Sequence, residues 1–341
     1  MKRLAVPLIR LSLLSLIIPL IMGVIVYQGF STNYTSRVFS EQSFKRQYES
    51  GIYKYRVLGR ILLLETYERI KQYNLPVISP TSLKLIDPQG NRQFYSAYFY
   101  VNTFSLCLTC LLLFFIFGGH RKNAGFLNTD LPILFLCSLI ALSQYTVVPY
   151  DTLTYLFLSA AALIIQSKQR SWNILALGII VVLATLTRET AALILAFYFA
   201  QHYKAILTKP SHFKLNKEQG TLLLLTVCFT MTYAALRLTL GFEHALFQTF
   251  TFPQNYNIFS LAGILFFVSL TLLLFLTQTA MNEMLAFLIA TLPYIILMLL
   301  VASPWEIRLW VPLILLLTIM KVKTIPQNNS MEDQTAISPT E

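Results

Sequence analysis

Apolar stretches recur along almost the whole of this chain, and that pattern excludes most folds. They run to about 16–23 residues each, against the roughly 20 needed to cross about 30 Å of hydrocarbon as a helix. Backbone surrounded by lipid must bond to itself, which leaves helices or a closed barrel, and unbroken apolar runs select helices. The sequence therefore predicts an all-α, polytopic transmembrane bundle of about ten spans. They fall near residues 5–27, 99–118, 131–148, 152–167, 173–187, 189–206, 220–241, 258–277, 284–302 and 305–321. The only long polar segments are 28–98 and the end of the chain, so no soluble domain of ordinary size fits between spans. The expected organisation is one integral membrane domain over 1–323, with 28–98 as a large loop, and a disordered tail over 324–341.

Charge gives the expected orientation. The chain starts with Lys2-Arg3 and continues into an apolar run too long for a signal-peptide core, which reads as an uncleaved anchor. Threading the spans puts Lys2, Arg3, His120-Arg121-Lys122, Lys168, Arg170, Lys204, Lys209, Lys214, Lys217, Lys321 and Lys323 on one side. By the positive-inside rule that side is cytoplasmic, as are both termini, and the chain reads as a multi-pass membrane protein. The weak point is the 278–283 loop, which has no positive charge and leaves the orientation of the last two spans less constrained. The net charge of +11 is spread over loops, so it follows topology and does not indicate nucleic-acid binding. The four cysteines lie inside apolar spans, where they read as small packing residues.

The 28–98 loop follows the first span and is expected outside. It carries ten Lys/Arg against five Asp/Glu, which does not conflict with its placement, because loops of this length largely escape the charge rule. Its segment RILLLETYERIKQY has helical spacing of apolar residues, predicting an amphipathic helix along the membrane surface. Asp87-Pro88-Gln89-Gly90 reads as a turn. The spans at 152–167 and 173–187 are short, about 24 Å at 1.5 Å per residue. Their outer tips, at Asp151 and Arg188-Glu189, are therefore expected slightly below the surface, where ionised groups need partners or a wet cavity.

These and other charges collect on the outer side. Asp151 and Glu306 each have a structural alternative: Asp151 opens a helix, and Ser303-Pro304-Trp305-Glu306 reads as a capping box. Glu189 could serve the dipole of the helix it begins. Arg188 and Arg308 have no such role, since a cation opposes a helix N-terminus. Arg237 lies one turn below an outer helix end and either snorkels or functions. Arg56 and Arg60, four apart, share a helix face and need a common anion or carboxylates. Arginine forks suit phosphate, and a phosphate at this depth suggests a lipid phosphate. Carboxylates beside it suggest a general base or a ligand for a divalent metal. Only His244 of the four histidines is expected outside, so a histidine-rich metal site is not available.

At these residues the chain resembles the GT-C superfamily of polytopic membrane glycosyltransferases, especially small bacterial members associated with cell-surface glycopolymers. The resemblance rests on Tyr55-Arg56-Val57-Leu58-Gly59-Arg60, Pro149-Tyr150-Asp151, Arg188-Glu189-Thr190-Ala191, and Glu306-Ile307-Arg308 with Pro312, in that order over most of the chain. It implies transfer of a sugar from a polyprenyl-phosphate donor to a glycan or lipid acceptor on the extracytoplasmic face. In the family the base is usually an Asp early in the first outer loop. Here no Asp occurs before Asp87, which leaves Glu49 or Glu41 as the implied base. Arg56, Arg60, Arg188 and Arg308 would then hold phosphate, with Asp151, Glu189 and Glu306 orienting them or binding metal. The competing classes are a transporter or flippase, a polysaccharide polymerase or ligase, and a non-catalytic protein of surface-polysaccharide assembly. A transporter would show internal repeats and polar groups near the bilayer midplane.

Overall fold

The computed structural model describes residues 8–29, 38–49, 51–118, 125–167, 171–208, 215–242, 258–276, 281–302 and 304–323. Outside them lie Lys2-Arg3, His120-Arg121-Lys122, Lys168, Arg170, Lys209, Lys214, Glu243, His244, Ser303 of the expected capping box and the 324–341 tail.

No strand occurs among the described residues. We number the helices α1 (Leu8–Gly29), α2 (Glu41–Gln47), α3 (Val57–Tyr73), α4 (Leu83–Ile86), α5 (Arg92–Ile116), α6 (Phe126–Ser143) and α7 (Asp151–Gln166). They continue with α8 (Ser171–Thr187), α9 (Ala192–Leu207), α10 (Lys217–Leu240), α11 (Ile258–Leu276), α12 (Met281–Val301) and α13 (Ile307–Lys323). Each expected span coincides with a helix, and among the described residues α1, α5, α6, α10 and α12 are long and apolar enough to cross a bilayer. The boundaries also differ. The span expected over 131–148 ends at Ser143, because Val147-Val148-Pro149 favours extended backbone and Pro restricts the residue before it. The last helix starts at Ile307, so Pro304 sits in a preceding turn and not at a first helical position.

Helix α13 occupies the centre. From Leu309 to Met320 nearly every side chain is buried, as expected of a helix that is apolar all round. It packs against α6, α7, α9, α11 and α12. Around this axis α5 lies along α7, α8 joins α7 to α10, and α9 joins α10 to α12.

The loop segment 38–91 closes one end of the bundle. Asp87 is fully buried and accepts the backbone N–H groups of Phe39 and Gln89 at 3.0 Å each, so the expected turn anchors the start of the segment. Helix α3 is amphipathic as expected, but its apolar face does not lie on the membrane surface. Leu63, Tyr67 and Ile70 are buried as the helix packs on α5 and α8, with Tyr67 edge-on to Phe94.

Candidate functional site

Two helix ends meet a buried turn at this end of the bundle. The Val147-Val148-Pro149-Tyr150 linker delivers Asp151 as the first residue of α7. Its carboxylate is completely buried. Arg188, in extended conformation between α8 and α9, donates from Nη1 to Asp151 Oδ1 at 2.5 Å. Arg308, in the first turn of α13, donates from Nη1 to the other oxygen at 3.3 Å and from Nε to Glu306 Oε2 at 2.8 Å. Thus α7, the α8–α9 link and α13 are tied through one carboxylate. The backbone supports the same junction, because the Tyr155 and Tyr294 hydroxyls donate to the carbonyls of Arg308 and Leu309.

Arg56 reaches this cluster from the loop. It precedes α3, is buried, and lies over the Tyr150 ring at 4.1 Å and the Tyr53 ring at 5.1 Å. Arg188 sits by the same Tyr150 ring, 5.8 Å away, so one aromatic ring neighbours two guanidiniums. Gly59 lets this happen: a Cβ on it would stand 3.1 Å from Tyr150 Cβ and 3.2 Å from the Pro149 carbonyl, so a larger side chain would hold α3 away. The carboxylate nearest Arg56 is Glu189, at 3.9 Å, and Arg56 Nε has no partner among the described residues. Burial opposes the charge of Arg56, but Tyr150 and Glu189 offset it and its pKa lies above the ordinary arginine value.

Arg237 completes the group from the end of α10. It is 8% exposed, stacks on Tyr55 at 3.6 Å and donates to the Tyr233 hydroxyl at 2.7 Å. No carboxylate pairs with it among the described residues. Tyr55 in turn donates to the carbonyl of Gly241 at 2.6 Å, which ties the loop to the α10 end.

A cavity of about 420 Å³ opens beside these groups. Arg56, Arg188, Arg237 and Glu189 line its charged side. Phe229 from α10, and Leu297 and Met298 from α12, supply an apolar wall. The Glu189 side chain is 34% exposed and is the carboxylate in the lining. Among the described residues, four guanidiniums (Arg56, Arg188, Arg237, Arg308) stand against three carboxylates (Asp151, Glu189, Glu306), an excess of one positive charge.

The remaining expected positions lie elsewhere. Glu41 is bonded to Lys45 one turn on in α2, and that hydrogen bond lowers its pKa, which makes it a weaker base. Glu49 is exposed just after α2. Arg60 is half-buried on α3, one turn beyond Arg56, and does not line the cavity. No group of three or more His, Cys, Asp or Glu side chains that could hold a metal gathers among the described residues. Asp151 and Glu306 are instead bonded to arginines, so this donor set does not fit a divalent cation.

The aromatic partners were not anticipated. Tyr53, Tyr55, Tyr150 and Tyr233 hold the arginines by their faces or hydroxyls. Tyr55 and Tyr150 sit beside the charged residues in the motifs, but Tyr53 and Tyr233 had no such marker.

The site also fixes helix direction. Asp151, Glu189 and Glu306 mark the starts of α7, α9 and α13, while Arg188 and Arg237 mark the ends of α8 and α10. The last turns of α12 line the cavity, so the start of α12 at Met281 belongs to the opposite end. Arg10 and Asp130, bonded between the beginnings of α1 and α6, are at that opposite end too. Comparison with protein-family models, curated proteins and solved structures gives no match.

Proposed function

We propose that this chain is a multi-pass bacterial inner-membrane glycosyltransferase, of the GT-C kind it resembles, that takes a polyprenyl-phosphate sugar on the extracytoplasmic face. Both termini are then cytoplasmic and the cavity end is outside, the orientation favoured by the basic loops. The observation that carries the reading is the cavity itself, whose lining combines arginines with apolar side chains. A ligand that fits has an anionic head and an apolar tail. The volume suits a phosphate with one sugar and lies within the usual range for small-molecule sites, about 300–1,000 Å³.

The single excess positive charge matches the single negative charge of a phosphodiester. Arg56 and Arg237 are the phosphate clamps in this reading, because neither is spent on a close ion pair among the described residues. Arg188 and Arg308 are held by Asp151 and frame the site. Glu189 takes the role of base, since it alone among these carboxylates lines the cavity and is part-exposed. In the transfer step, Glu189 removes the proton of an acceptor hydroxyl. The acceptor oxygen bonds to the anomeric carbon as the bond from that carbon to the phosphate oxygen breaks. The electron pair leaves with the polyprenyl phosphate, whose second negative charge appears as Glu189 loses its own. The arginines stabilise that developing charge.

The test is transfer of labelled sugar from a panel of polyprenyl-phosphate monosaccharides into envelope material, with purified protein in bilayer discs. The wild type is expected to transfer from at least one donor. Glu189→Gln should be slower by about 100-fold or more, the usual contribution of a general base. No transfer from any donor, or full activity in the Glu189→Gln protein, would sink the proposal.

A further inference from the structure

We infer that Asn102, on α5, is the positioning residue that sets the Pro149-Tyr150-Asp151 turn on which the candidate site is built. Asn102 is 1% exposed and lies outside the charged cluster. Its side-chain nitrogen donates to the Val148 carbonyl at 3.0 Å, before the turn, and its oxygen accepts the Thr152 hydroxyl at 2.6 Å, after it. One rigid amide thus grips both flanks of the three intervening residues. The same nitrogen donates to the Tyr27 hydroxyl at 2.6 Å, and Tyr27 is itself held on α1 and α5 by bonds with Tyr98 and Tyr95. The two bonds to the flanks therefore refer the turn to α5, which carries none of the site's charges.

The turn needs such a reference. It is not helical, and Pro149 cannot donate a backbone hydrogen bond. Tyr150 must present its ring to Arg56 and Arg188, and Asp151 must reach Arg188 and Arg308 together. A shift of the turn moves all four contacts at once. The Asn102 amide uses both of its donors and one acceptor position in this arrangement, which neither Asp nor Leu can reproduce.

The effect on phosphate binding rests on the reading given above, whereas the placement of the turn does not. Hydrogen–deuterium exchange on the full chain in bilayer discs tests the second directly. Thr152→Val and Asn102→Leu should lower protection over residues 147–153 by roughly tenfold, the effect of losing a buried hydrogen bond. Thr152→Ser, which keeps the hydroxyl, should restore wild-type protection. Tyr27→Phe removes the Asn102 partner that is not on the turn, so protection there should stay within about twofold of wild type. Binding of polyprenyl phosphate should weaken in Thr152→Val and not in Tyr27→Phe. Equal loosening of the turn in Tyr27→Phe and Thr152→Val, or none in Thr152→Val, would overturn the inference. If the wild type binds no polyprenyl phosphate, the functional proposal fails and the exchange comparison still decides the role of Asn102.

Discussion

Removing the Asp151 carboxylate would leave Arg188 and Arg308 buried without their shared counter-ion. A buried charge that loses its partner costs about 3–5 kcal/mol. Asp151→Asn should therefore lower thermal stability sharply, by melting measured in detergent or bilayer discs, whether or not ligand is added. Arg237 behaves differently, because aromatic rings and a hydroxyl hold it and, among the described residues, no carboxylate does. Arg237→Lys keeps the charge but loses the planar stack and the fork. Affinity for a phosphate lipid should fall about tenfold with little change in melting temperature, which separates binding from folding at this position. The charged members of the site were legible because helix-end physics gave Arg188 and Arg308 nothing to do. Their aromatic partners were harder to see. A tyrosine in an apolar helix, such as Tyr233 in α10, looks like packing until the tertiary structure puts a guanidinium beside it.

Among the helices, close approach is decided by glycine. Gly59 lies against Pro149 and Tyr150, and Gly263 lies against the Pro304-Trp305 turn so tightly that a Cβ would collide with the Pro304 carbonyl. Both act on the same end of the bundle but on different surfaces. Gly263→Ala should destabilise by about 1–3 kcal/mol, the usual cost of overpacking. Gly59→Val should destabilise comparably and also weaken phosphate-lipid binding, since it lifts α3 and Arg56 from Tyr150. Melting curves and lipid titrations on both variants check the contrast. Helix positions were largely readable from apolar runs, but ends were not. The run at 131–148 continues beyond the helix, and the stop at Ser143 depends on Val147-Val148-Pro149 and not on polarity. The apolar face of α3 was readable too, although periodicity could not say that α5 and α8, and not lipid, would cover it.

For the molecule as a whole, charge and geometry point the same way. The arginine-lined cavity lies at one end of the bundle, while Lys204 and Lys217 lie toward the other, at the end of α9 and the start of α10. With the cavity end outside, a membrane-impermeant thiol reagent on intact cells should label Tyr73→Cys, which is exposed on α3. It should not label Thr208→Cys, just beyond α9, until the membrane is opened. Sequence alone could order the spans but could not show that α12 ends at the cavity, because the 278–283 loop carries no positive charge to orient it. The central claim is that the cavity selects an anionic head joined to an apolar chain. Native mass spectrometry of the protein released from bilayer discs tests it most directly, by offering polyprenyl phosphate against the uncharged polyprenol of the same length. Retention of the phosphate is expected, with loss of that retention in an Arg56→Ala, Arg237→Ala double variant and little binding of the alcohol. Equal retention of phosphate and alcohol, or phosphate binding unchanged in the double variant, would contradict it.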